Sequence, residues 1–199
     1  MLPLVRELDE VQRYDGVAIA FHWAIALLIA VNWPIGHFGE TIEARLGLNL
    51  VPFHKSIGLT VLALSILRLV WRLSHRPPPL PLSISRWRAR AARFTHAAFY
   101  VLIIALPLTG WLRASAGRYP LTWFGLLDVP KFPIARQSAE AALAIGAHKF
   151  LAWTMLTLVV VHVAAALHHH LKLKDAVLLR MLPKRARSGQ APHVRQRGN

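Results

Sequence analysis

Four stretches of this chain, residues 17–38, 53–73, 94–112 and 147–171, are apolar for so long that water cannot be their solvent. A helix needs about 20 mostly apolar residues to cross a bilayer, because no water reaches its backbone N–H and C=O groups and all must bond within the segment. The sequence therefore predicts an all-α membrane protein, a four-helix transmembrane bundle embedded in the lipid bilayer. Residues 1–175 make one domain around these spans, and residues 176–199 make a basic tail.

The formal charge of +15 would suit a nucleic-acid binder if the cations were spread evenly. They are not. An even number of spans puts both termini on one side, together with the connection between the second and third spans. Seventeen of the 24 Lys and Arg residues fall there, among them Arg68, Arg72, Arg86, Arg88, Arg90 and Arg93. The other seven, Arg45, Lys55, Arg113, Arg118, Lys131, Arg136 and Lys149, fall opposite. This positive-inside bias predicts cytoplasmic N- and C-termini for a multi-pass membrane protein and no nucleic-acid partner. The leader is mixed in charge (Arg6, Glu7, Asp9, Glu10) and no small-residue cleavage pattern follows it. The first span is thus expected to remain in the mature protein.

Between the second and third spans, "HRPPPLPLS" (75–83) predicts a stiff extended connector and "SRWRARAARF" (85–94) a basic amphipathic lead-in. In the second outer loop, "RYPLTWFGLLDVPKFP" mixes aromatics and prolines as interfacial segments do, and "ARQSAEAALAIG" reads as helix running into the fourth span. "KLKDAVLLRMLP" opens as a surface helix, and the last dozen residues are polar and basic enough to be disordered.

The chain has no cysteine, which excludes disulfides, iron–sulfur clusters and thioether-attached haem. Any metal must be held by nitrogen or oxygen. An ionisable side chain inside a membrane span is costly enough to be a functional candidate. His22, His54, His96, His148 and His162 lie in or at the edge of the spans.

His148 and His162 are 14 residues apart, a rise of about 21 Å and some 40° short of four helical turns. They share one face at two depths. Alternating span directions put His22 at the depth of His162 and His54 at the depth of His148. Facing histidine pairs at two levels are what two bis-histidine haems require. The same step from His54 reaches Arg68, a partner for a propionate, and from His22 reaches Gly36, which carries no side chain into the outer level. Gly58, one turn beyond His54, leaves that face open.

Bland readings compete. A lone membrane histidine can simply bond to a neighbouring helix, and for His96 that reading stands level with a functional one. Successive histidines in "HHH" (168–170) point in different directions, which favours an interfacial location over a metal cluster. Pro107 and Gly110 kink the third span and let it pack closely, with a secondary role in making room for a macrocycle. Lys55, Lys149, Arg113 and Arg118 are anchors, propionate partners or an attracting field for an anion.

In "AIAFHW", "FHKSIG", "RLVWRL", "HAAFYVLIIALPLTG", "HVAAALHHH" and "KDAVLLRMLP" the chain resembles the bacterial cytochrome b561 family. The resemblance implies a four-helix bundle with two haem b groups, one on His22 and His162 and the other on His54 and His148. It further implies electron exchange with ubiquinone, for which His96, Arg68 and Arg72 are the polar groups near helix ends, and, in some members, oxidation of superoxide at the outer side. Three functions are in view: a dihaem electron-transfer oxidoreductase between a small donor and quinone; a haem b anchor fed by a partner dehydrogenase; and a histidine-lined transporter of metal ions or protons.

Overall fold

The computed structural model describes residues 13–79 and 85–183. The charged leader, part of the 75–83 connector and the basic residues from 184 onward lie outside them.

Four helices form, α1 (Gly16–Leu46), α2 (Val51–Ser74), α3 (Arg86–Ser115) and α4 (Ala139–His168), each long and apolar enough to cross a membrane. They extend beyond the spans expected from hydropathy because helix ends follow capping, not the lipid boundary. Asp15, Ser85 and Ser138 accept from the amides of Ala18, Arg88 and Ala141, satisfying first-turn N–H groups. The lead-in to the third span is thus continuous with α3. In "ARQSAEAALAIG" only the residues after the Ser138 cap are helical. Gly47 stops α1 with φ 68°, a left-handed value that glycine tolerates, and returns its N–H to the Glu43 carbonyl.

Close packing follows chain order, α1 on α2, α2 on α3 and α3 on α4. Asp15 at the start of α1 bonds Trp71 near the end of α2, and Asn32 further along α1 meets His54 near the start of α2, so the two run antiparallel. The buried centre is Ile25, Val61, Leu102, Ile103 and Met155. Met155, 1% exposed, stands midway in sequence between His148 and His162, and Val61 midway between His54 and Arg68. An apolar layer therefore separates the two polar levels.

The second outer loop adds a small hairpin, β1 (Thr122–Trp123) against β2 (Leu127–Asp128). Its turn has positive φ at Phe124 (50°) and Gly125 (72°). The unusual value at Phe124 is held by its amide, which donates to Ser56 Oγ at 2.9 Å. Trp123 Nε1 donates to Thr60 Oγ1, Trp111 Nε1 to the Pro130 carbonyl, and the Phe132 amide to Ser115 Oγ. The hairpin is thus tied down near the start of α2, and the segment that follows it on the end of α3.

After α4 the chain winds into a π-turn, His169–Leu173, and a 3-10 turn, Leu178–Met181. The expected surface helix does not form. Lys174 is left-handed (φ 50°), and the Asp175 carboxylate takes the Val177 amide and the His169 ring, which fixes a turn. The 3-10 turn reaches back to the start of the chain: Tyr14 N donates to the Arg180 carbonyl, Arg13 to that of Leu182, and Trp23 Nε1 to that of Met181.

Candidate functional site

Two histidine sites sit at opposite ends of the bundle. At the loop end, α2 supplies His54 and α4 supplies His148, with ring centroids 6.1 Å apart. At the end carrying the termini, α1 supplies His22 and α4 supplies His162, with centroids 6.4 Å apart. The depth argument from the sequence thus brings together the residues it paired.

His96 on α3 also faces His162, at 6.2 Å, so separation alone does not choose a partner for His162. The flanking helices differ. α3 packs closely on α4, whereas α1 and α4 are not among the close-packed pairs. They are bridged nearer the loop end, where Trp33 Nε1 donates to the Ala152 carbonyl and Trp33 meets Trp153 edge-on. The seam between His22 and His162 is the wider one.

Arg68 lies over the Tyr100 ring, 5.6 Å from its centroid, in electrostatic range of His22, His96 and His162. Arg72 has a buried Nη1 with no hydrogen-bond partner among the described residues and stands in range of His96. At the loop end, Lys55 is half-buried within range of Arg113 and Lys131, while Lys149 is exposed.

The glycines behave differently from one another. A Cβ on Gly36 would overlap the His54 ring, so that imidazole lies directly over the bare backbone of α1. A Cβ on Gly110 would stand 2.9 Å from His148 Cε1, so α3 offers the same kind of cradle. Gly58 has no comparable neighbour, the nearest being Asn32 Nδ2 at 3.9 Å. Sequence reasoning weighted Gly110 towards kinking and missed Asn32 and Thr109, whose roles run through main-chain carbonyls. Depth-matching Gly110 to His148 would have found the first.

Imidazole nitrogens bind first-row metals at about 2 Å, so two rings on opposite sides of one ion have centroids roughly 6 Å apart. The facing pairs have that spacing, and the bare backbone at Gly36 and Gly110 is what lets the loop-end rings lie where they do. Donors of this kind, imidazole without thiolate, suit a bis-histidine b-type haem.

Residues 13–184 match the family described as Prokaryotic cytochrome b561. The chain belongs to that family. It is therefore a membrane haem protein with four membrane-spanning helices, of the multi-pass bacterial inner-membrane type. Relatives include Cytochrome b561 homolog 2 of Escherichia coli (strain K12), 37% identical over 176 residues, covering 87% of this chain and 93% of the relative. The Probable superoxide oxidase CybB of Yersinia pestis is 31% identical over 191 residues, covering 87% and 98%. Cytochrome b562 of Cereibacter sphaeroides is 28% identical over 181 residues, covering 86% and 96%. The family binds haem b and points to electron-transfer oxidoreductases.

Proposed function

We propose that this cytochrome carries single electrons from a small donor at the outer face, superoxide by preference, to ubiquinone near the cytoplasmic face. His54 and His148 would hold one haem b, and His22 and His162 a second. The observation that carries this reading is the pair of facing imidazoles at each end, 6.1 and 6.4 Å between centroids, with the Met155 layer between them. Bound there, haem supplies reversible one-electron chemistry at an iron with no open coordination position.

The excess of Lys and Arg at the end carrying the termini supports a cytoplasmic location for that end. The loop end then faces outward. Its cluster of Lys55, Arg113 and Lys131 would draw an anion towards His54 and His148, with Lys149 next to His148 in the chain. At the cytoplasmic end the wider α1–α4 seam favours His22 over His96 as the partner of His162. This leaves His96, which is exposed, free to meet a quinone with Arg72, while Arg68 offers its charge to a propionate. Each quinol formed needs two one-electron oxidations of superoxide to dioxygen and two protons taken from the cytoplasmic side.

The test is stopped-flow spectroscopy of the purified protein. Enzymatically generated superoxide should reduce the b-type absorption, and added ubiquinone should restore the oxidised spectrum. Absence of reduction by superoxide would remove that donor, and failure of ubiquinone to reoxidise would remove the acceptor.

A further inference from the structure

Both loop-end imidazoles are tied through Nδ1 to a main-chain carbonyl of a neighbouring helix, His54 to Asn32 at 3.2 Å and His148 to Leu106 at 3.1 Å. A carbonyl oxygen only accepts, so each Nδ1 carries the proton and each Nε2 keeps its lone pair for a metal. Thr109 adds to this on α3. Its hydroxyl donates to the Leu106 carbonyl at 2.8 Å, which uses its one hydrogen. Its Oγ1 stands 3.3 Å from His148 Nδ1 and so meets that N–H as a second acceptor.

The two helices repeat one local pattern. Four residues after each accepting carbonyl stands a glycine, Gly36 after Asn32 and Gly110 after Leu106, over which the bonded ring lies. A side chain at either glycine would push the ring off its carbonyl. No equivalent hydrogen bond to a described residue holds His22 or His162.

We infer that Thr109 is a positioning residue for His148, and that the carbonyl anchoring confined to the loop end makes that haem site the lower in reduction potential of the two. An imidazole whose N–H donates to a good acceptor is a stronger donor through its other nitrogen. A stronger axial donor favours ferric over ferrous iron. His148 has two acceptors and His54 one, while the opposite pair has none among the described residues. The order of potentials sends electrons from the loop end to the end carrying the termini. The inference rests on the haem assignment proposed above.

The experiment uses the full chain with its haems, comparing wild type with Thr109→Val, which keeps the branched shape and removes the hydroxyl, and Thr109→Ser, which keeps the hydroxyl. Haem per polypeptide, spectroscopic redox titration and the ferric low-spin resonance are read for each. Wild type should titrate as two components. Thr109→Val should raise the lower one, by up to the ~59 mV that a tenfold change in ferric-to-ferrous preference represents for one electron, and alter one low-spin signal. Thr109→Ser should overlay wild type. Should Val at 109 lose haem, Thr109→Ala carries the same expectation. A hydroxyl-free variant that keeps both haems with unchanged potentials would overturn the inference. So would a shift in the higher component, a Ser variant that shifts as far as Val, or two haems titrating as one. A wild-type protein holding fewer than two haems would instead bring down the haem assignment itself, and this inference with it.

Discussion

Gly36 and Gly110 set how closely α1 and α3 approach the loop-end imidazoles, and each makes a sharp prediction. Valine at either position would drive side-chain carbons into the His54 or His148 ring. Haem per polypeptide, by pyridine haemochrome assay, should fall from two to one in each variant, while Gly58→Ala, which meets only ordinary contact, should keep both. Asp15 gives a pH dependence. Burial works to raise its carboxyl, but the bonds accepted from the Ala18 amide and the Trp71 indole outweigh it and leave the pKa below the ordinary value. A depressed folded-state pKa adds stability that is complete above the unfolded value, near 3.8, and lost as pH falls through the folded one. Asp15→Asn should flatten that acid limb in thermal melts, and Asp15→Ala should cost about 1 kcal/mol as a lost cap. At this scale the histidines were legible in the sequence because imidazoles interrupt apolar spans at matched depths. Thr109 and Asn32 were not, since the bonds that give them meaning run to or from main-chain carbonyls whose positions no side-chain pattern records.

The helices were legible as four apolar runs, but their ends were not, because hydropathy changes at the lipid boundary while the helix continues to its cap. Asp15, Ser85 and Ser138 mark the true starts of α1, α3 and α4. The hairpin at 122–128 was read only as an aromatic interfacial segment. Its shape depends on Ser56 and Thr60, more than sixty residues away, so local sequence could not specify it. On α4 the step from His148 to Met155 to His162 places an apolar plug between two polar levels. Met155→Ala should destabilise the bundle by about 2–5 kcal/mol, the range for truncating a buried large side chain, in denaturant titrations of the detergent-solubilised protein. Both haems should remain, because neither histidine pair is touched.

Over the whole molecule, the asymmetry of Lys and Arg gives the bundle its proposed direction, and the loop-end cations give that face its proposed use. If Lys55, Arg113 and Lys149 steer an anion, replacing them with glutamine should slow the bimolecular reaction with superoxide and flatten its dependence on ionic strength. An unchanged rate and salt dependence would mean that these residues only anchor the helix ends. Underlying every step is the assignment of four imidazoles from three helices to two haems. It is tested most directly by haem stoichiometry with reduced-minus-oxidised spectra for His22→Ala, His54→Ala, His148→Ala and His162→Ala. The account predicts two haem b groups per wild-type chain and the loss of one in each variant, the same spectral component disappearing in His22→Ala as in His162→Ala, and the other in His54→Ala and His148→Ala. Two haems with unaltered spectra in any of the four would contradict it.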